Sequence, residues 1–445
     1  MSYKIFSLKK LNPINNVFYG WKLVAIAVTT MTLIITPIFS GLGFFFVGLE
    51  REFGWTRGML SIPFSLARME GAILGPVEGY TVDRIGPRKT IMIGLLLLSI
   101  GFLWFSWIPN FMHFILAFCV ITAGGALGGF MPLMAAINNW FRRKRSTAMA
   151  FGMLGISFGG FLAPLLGVAI DEFGWRMVTR SLGIIVALLI FPIGFSVRNR
   201  PEDYGQLPDG DVGIESEEYF ESNSPEISIS VKSALKFRGF WLVSFTHGMS
   251  AVAPVTLGIH LIPALNDAGW SLSLAGSVLF AQAFSTAIFQ LLGGYIGDRI
   301  RKEPAITVCC CLQAIGILVL AIGLSMESGA VVYPGIMIYG AGLGGRVPLL
   351  ISIRGDYFGR DNYATIMGFS QIPMNLIMMG APTAAGFLFD NFSSYTIPFV
   401  GLAFLNIIGG IIMLWSRHPN STETPSFTSK SFWTRSNPIE RNING

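Results

Sequence analysis

Charge is what this chain has least of. Asp, Glu, Lys and Arg make up 13% of its 445 residues, against roughly 25% in soluble domains. A soluble fold of this length needs a polar surface that the sequence cannot supply. The small basic excess, +6, sits in short loops, so it does not point to nucleic acid. Basic short loops are the pattern of the cytoplasmic side of a membrane protein. Cysteine is scarce too. Cys119 stands alone and Cys309, Cys310 and Cys311 are consecutive, all in apolar runs. Three adjacent helical positions point in three directions and cannot grip one metal, and no disulfide framework is implied. There is no P-loop, no metal-ligand spacing and no nucleophile–base set. No enzyme, cofactor or metal is therefore expected, and a gradient or exchange has to supply any drive. No cleavable signal is expected either, because the first apolar run is too long for a signal core.

Apolar runs are what the chain does have. Hydrophobic residues make up 52%, and a bilayer core needs about 20 of them per helix. Twelve runs are long enough. They lie near 19–47, 58–80, 90–108, 112–137, 146–170 and 177–197, then near 239–263, 271–296, 304–325, 329–353, 363–388 and 394–416. None alternates polar and apolar residues with period two, which argues against strands. The expected fold is an all-α membrane protein of twelve transmembrane helices in two six-helix bundles, 18–197 and 239–416. Basic clusters fall in alternate loops: Arg84, Arg88 and Lys89; Arg142 to Arg145; Arg299, Arg301 and Lys302. With these loops inside and an even helix count, residues 1–17 and 417–445 are both expected in the cytoplasm. Residues 198–238 are polar and acidic and read as a cytoplasmic linker without full order. The tail after 418 reads as disordered. Asn391-Phe392-Ser393 is a glycosylation sequon on the expected outer face.

The two halves repeat one another. Gly79-Tyr80-Thr81-Val82-Asp83-Arg84 returns as Gly294-Tyr295-Ile296-Gly297-Asp298-Arg299, at an offset of 215. Each copy is preceded by a Gly-Trp pair, Gly54-Trp55 and Gly269-Trp270. Leu127-Gly128-Gly129 matches Leu343-Gly344-Gly345, Trp140-Phe141 matches Tyr357-Phe358, and Ala163-Pro164 matches Ala381-Pro382. Parallel repeats of this kind are an architecture of secondary transporters, with the substrate held between the halves near the midplane.

The loop phrase running from Gly79 to Lys89 resembles the signature of the major facilitator superfamily. Gly79, Asp83, Arg84, Gly86, Arg88 and Lys89 fill its positions; the second copy keeps Gly294, Asp298 and Arg299. Tyr19-Gly20-Trp21, the Trp140–Arg145 segment and Arg200-Pro201-Glu202-Asp203 are similar to the monocarboxylate-porter and oxalate/formate-antiporter branch. The chain departs from animal-type porters in having Phe39 and Ser40 where they resemble each other in a Lys. The resemblance implies alternating access, with the signature loop holding one conformation shut. Asp83 is expected to do so by pairing with cations of a neighbouring helix.

Charges inside a bilayer are costly and so are functional candidates. Arg68 shares a helical stripe with Gly71, Gly75 and Gly79, a small-residue packing face. It is a candidate for binding a substrate carboxylate, the alternative being a local pair with an acid such as Glu70. Arg346 follows Gly340, Gly342, Gly344 and Gly345. It has no counterpart in the first half, where Phe130 stands. It too is a candidate for bidentate carboxylate recognition, against a structural ion pair. Gln282, Gln371 and Asn375 are candidate cavity positions. Glu70 and His247 are candidates for proton coupling. Gly79, Asp83, Arg84, Gly86, Arg88, Gly294, Asp298 and Arg299 are the gating set.

These features lead to the expectation of a monomeric secondary transporter in the cell membrane. It would move small organic anions, monocarboxylates first, by proton symport or anion exchange, with the lipid bilayer and protons as its other partners. A multidrug exporter of the same fold is the first alternative, disfavoured because Ile121 to Pro132 holds no Arg. A non-transporting receptor is the second, and the short polar tail offers no signalling domain for it.

Overall fold

The computed structural model describes residues 18–416 apart from 41, 56, 211–228, 271 and 393. The two termini and the middle of the linker lie outside the described residues. Apolar runs in a bilayer must satisfy their backbone groups internally, which leaves the helix as the solution. Among the described residues there is accordingly no strand.

The first half contains α1 (Tyr19–Ile35), α2 (Leu42–Phe53), α3 (Arg57–Ile85), α4 (Pro87–Phe105) and α5 (Phe111–Gly128). It continues with α6 (Phe130–Trp140), α7 (Arg145–Gly152), α8 (Leu154–Phe173) and α9 (Trp175–Ser196). A short helix, α10 (Val231–Lys236), closes the linker. The second half contains α11 (Arg238–Asp267), α12 (Leu272–Gly297), α13 (Lys302–Ser325), α14 (Gly329–Phe358), α15 (Tyr363–Phe392) and α16 (Thr396–Leu414).

Joined across their breaks, the described helices order into twelve candidate spans, and three of the first six are broken. The first passes from α1 into α2 through a π-helical turn, Thr36–Ser40. Pro37 lies in that turn and cannot donate a backbone hydrogen bond. The fourth breaks at Gly129, between α5 and α6. The fifth breaks at Met153, between α7 and α8. Nine of the described helices have the length and hydropathy of a span, ten if Arg145–Leu162 and Leu165–Phe173, which meet at a bend within α8, form one span. α3 and α15, at 29 and 30 residues, are long enough but are not among them. Each carries polar groups: Arg68, Glu70 and Glu78 in one, Gln371 and Asn375 in the other.

Glycine brings the helices of each half together in equivalent places. A Cβ on Gly94 would stand 2.0 Å from the backbone nitrogen of Gly128, where α4 meets α5. A Cβ on Gly316 would stand 2.2 Å from that of Tyr339, where α13 meets α14. The helix pair is the same in both halves, although the contact residues are not copies: the repeat aligns Gly128 with Gly344, which meets Thr286 of α12. α4 also packs on α9, and α1 on α8; in the second half α13 and α11 pack on α16, and α12 on α14. Between the halves, α3 runs along α15 and α12 against α7.

The linker is more ordered at its ends than its composition suggests. Two 3-10 turns, Glu202–Tyr204 and Pro208–Gly210, follow α9. At the far end the Ile229 amide donates to the Phe358 carbonyl, and Asn362 Nδ2 donates to the Ile229 carbonyl.

Candidate functional site at the boundary between the halves

Both copies of the repeated phrase reach across the boundary. Asp83, on the last turn of α3, accepts hydrogen bonds from the amides of Ala364 (3.1 Å) and Thr365 (2.7 Å), the first turn of α15. Asp298, just past α12, accepts from the amides of Ser146 (2.8 Å) and Thr147 (2.9 Å), the first turn of α7. The first amides of a helix have no partner within it and carry the positive end of its dipole, so a carboxylate satisfies both needs. The sequence suggested that Asp83 would pair with cations of a neighbouring helix. The structure corrects this: its partners are backbone amides of the opposite half.

Glycine makes the reach possible. A Cβ on Gly79 would lie 2.2 Å from the Ala364 carbonyl oxygen, and one on Gly294 2.5 Å from Ala150 Cβ. Deeper in, a Cβ on Gly75 would lie 3.2 Å from the Gly368 carbonyl and 3.7 Å from Gln371 Cβ, and one on Gly71 would lie 3.9 Å from Asn375 Nδ2. The expected stripe of Gly71, Gly75 and Gly79 is therefore the face that α3 turns to α15, and Gln371 and Asn375 stand against it. The backbone register places position 68 on that same stripe, one turn beyond Gly71; the Arg68 side chain lies outside the described set. Gln282 is half-buried on α12, with its carbonyl close to Gly340 of α14.

A charged layer lies beside these caps. Arg145 Nη1 of α7 meets Asp356 Oδ1 of α14 at 2.9 Å, and Lys302 Nζ of α13 meets the other oxygen of Asp356. The Ser146 and Ser352 hydroxyls are 2.8 Å apart, and Gln290 Nε2 donates to the Ala150 carbonyl at 2.9 Å. These links gather at the end bearing the basic loops. Toward the other end the halves meet at the rings of Phe161 and Phe280, 6.5 Å apart. The structure holds the basic end shut.

Other members of the gating set stay within their own half. Gly86, at φ 88°, turns the chain from α3 into α4, a conformation that favours glycine. The Arg88 amide donates to Asn199 Oδ1 at 3.0 Å, and its guanidinium lies over Phe195. Arg84 and Arg299 are exposed, each stacked on the tyrosine four residues earlier, Tyr80 and Tyr295.

The structure does not bring Arg346 to the boundary. It is buried among α11, α13 and α14, donating from Nε to Gln313 Oε1 (3.1 Å), from Nη1 to Ser250 Oγ (2.6 Å) and from Nη2 to the Ser250 carbonyl (3.3 Å). The glycines before it serve helix packing: Gly342 lies against Gln313, and Gly344 against Thr286 of α12. A second buried guanidinium, Arg354, was not singled out from sequence because it falls just past the expected run 329–353. It donates to the Ser370 hydroxyl and the Leu350 carbonyl. Its Nη2 stands 3.2 Å from His247 Nδ1. A guanidinium only donates, so Nδ1 is an acceptor and the ring is neutral. That contact ties His247 to Arg354 inside the second half. Glu70 faces α5 and accepts from Thr122 Oγ1 at 2.9 Å.

Two parallel six-helix halves that cap one another's helices at one end define a membrane transport fold. The chain belongs to the Major Facilitator Superfamily, whose profile matches residues 23–372 and again 240–438. It is 23% identical to Monocarboxylate transporter 13 of Bos taurus over 90% of both chains. It is 24% identical to Monocarboxylate transporter 11 of Homo sapiens over 89% of this chain and 82% of that one. Among solved structures it is similar to a double-tryptophan variant of XylE, with a TM-score of 0.72, 16% identity and coverage of 89% and 95% of the two chains. FucP in the outward conformation gives 0.69, with 14% identity and coverage of 90% and 99%. The fold is thus that of twelve-helix transporters, and the chain is a transporter rather than an enzyme.

Proposed function

We propose that this transporter carries small organic anions, monocarboxylates first, by alternating access. The observation behind the mechanism is the reciprocal capping by Asp83 and Asp298. It joins the halves at one end through polar contacts to helix termini, which can be released without unfolding either body, so the two can part there and close elsewhere. Arg68 supports the substrate class. Its position shares the boundary stripe with Gly71 and Gly75, near the midplane, opposite Asn375 and Gln371. A guanidinium there would bind a carboxylate, and the side-chain amides would donate to the lone pairs it leaves open. The names of the monocarboxylate transporters among its relatives point the same way. Drive comes from proton symport or anion exchange. The basic end faces the cytoplasm, with the termini and linker on that side.

Uptake of radiolabelled small carboxylates into proteoliposomes, with and without a pH gradient, tests this reading. Saturable uptake lost in Arg68→Gln supports it. Export of hydrophobic cations with no carboxylate flux would replace it with the exporter alternative. A cysteine at Glu217 labelled by an impermeant reagent in intact cells would reverse the orientation.

A further inference from the structure

The start of the linker is bonded to one half and charged toward the other. On the first half, Trp140 Nε1 donates to the Arg198 carbonyl (3.0 Å), and Asn139 Nδ2 to the Asn199 carbonyl (3.1 Å). The Arg198 guanidinium is sandwiched 4.1 Å from both the Tyr19 and Tyr204 rings. Asp209 accepts from three consecutive amides, Arg142 (3.0 Å), Arg143 (2.7 Å) and Lys144 (3.2 Å). Residues 198–210 are therefore a rigid extension of the first half. From this base Arg200 reaches Asp361 of the α14–α15 turn, Nη2 to Oδ1 at 2.6 Å, and Glu202 accepts from Arg360 Nη1 at 2.9 Å. Arg360 Nη1 also donates to the Asn139 carbonyl. The α14–α15 turn is the one whose following amides Asp83 caps.

We infer that Arg200 and Glu202 form an ionic clasp on Asp361 and Arg360, a salt-sensitive device that biases the resting transporter toward the state shut at its basic end. The caps of Asp83 and Asp298 sit deeper and are half-buried. Within the clasp the outer pair is the exposed one: Arg200 and Asp361 keep 45% and 50% of their side-chain surface in solvent, whereas Arg360 of the other pair keeps 8%. Exposed pairs are weakened by salt, since the screening length falls from about 10 Å at 0.1 M to about 3 Å at 1 M. The clasp therefore lets ionic strength at that face adjust the opening equilibrium without touching the substrate site. Nothing in it depends on which anion is carried.

The test uses the full-length protein in nanodiscs with its four cysteines replaced and spin labels at exposed Lys89 and Lys232, one on each body. Distances by pulsed electron resonance give the ratio of open to shut basic ends. Arg200→Glu should raise that ratio about two- to fivefold, the factor an exposed ion pair carries, and should blunt its dependence on salt. The double substitution Arg200→Glu with Asp361→Arg leaves two acids on the linker facing two guanidiniums on the α14–α15 turn. It should restore both the ratio and the salt response. An unchanged ratio in Arg200→Glu, or a shift that the double substitution does not reverse, would overturn the clasp.

Discussion

Asp83 and Asp298 hold the same post in opposite directions: each ends a helix of its own half and caps the first turn of a helix in the other. The two contacts match in geometry, with two amides per carboxylate and all four distances between 2.7 and 3.1 Å. The pair follows from the sequence repeat, because a motif copied into both halves of a two-fold arrangement must meet a partner related by the same axis.

Asp83→Asn should slow transport far more than it weakens substrate binding. The amide keeps one accepting oxygen and loses the charge and the second bond. Hydrogen bonds to a charged group contribute about 1.5–3 kcal/mol, and the loss of one falls on the shut state alone. That is about a ten- to 150-fold change in the shut-to-open ratio, at about 1.4 kcal/mol per factor of ten. Turnover and binding are measured separately on the purified variant. Unchanged turnover at equal folding would remove the gating role.

Gly79→Val should hold the basic end open. Its Cβ would fall 2.2 Å from the Ala364 carbonyl oxygen, which is backbone and cannot swing away. Overpacking costs about 1–3 kcal/mol, here charged to one conformation only. Gly160→Val is the control, since nothing lies within 4 Å of its Cβ. Alkylation of a reporter cysteine at the boundary should speed up in the first variant and stay at the wild-type rate in the second.

The fold was legible because its signals are long: twelve apolar runs, a polar gap near 198–238, and a motif repeated in register. The stripe of Gly71, Gly75 and Gly79 was legible because helical periodicity fixes a face. What escaped was the choice of partner. No property of Asp83 in the sequence distinguishes an amide from a cation, and only the placement of α15 decides it. Arg346 misled for a related reason. Glycines beside a charge suggested a cavity, whereas the same glycines let α13 and α12 approach α14. Arg354 and the Arg145–Asp356–Lys302 group sat at run ends, where loop charges are ordinary.

At the other end of the molecule, acid should loosen the clamp between α2 and α9. Glu52 accepts from Arg176 Nη2 at 2.7 Å and from Trp175 Nε1 at 2.8 Å, while Arg176 also holds the Ser106 and Ile108 carbonyls. The hydrogen bonds from Arg176 hold the Glu52 carboxyl below its ordinary value. A carboxyl lowered on folding stabilises above its unfolded value, about 4.3 for Glu, and loses that contribution as pH falls toward the folded value. The melting-temperature gap between wild type and Glu52→Gln should be full above about pH 5 and shrink toward pH 3. A gap constant across that range would show that the pair contributes nothing.

Arg346 and Arg68 should separate folding from recognition. Arg346→Gln removes the donor to Gln313 and Ser250 inside the second half, where both partners are buried. A buried group left unpaired costs about 1–3 kcal/mol, so the variant should melt earlier. Its affinity for the best carboxylate should stay within about twofold, because the guanidinium does not face the boundary between the halves. Arg346→Lys should fare little better in stability, since an ammonium cannot reproduce the planar fork that spans Gln313 and Ser250. Arg68→Gln should do the reverse. Stability should be kept, and the loss of a desolvated carboxylate contact should cost about 2–5 kcal/mol of binding. Calorimetric titration of both variants, beside their thermal melts, decides the matter. If Arg346→Gln loses the carboxylate while Arg68→Gln binds it as wild type does, the anion is read from within the second half. The buried network around Ser250 would then have to open to admit it.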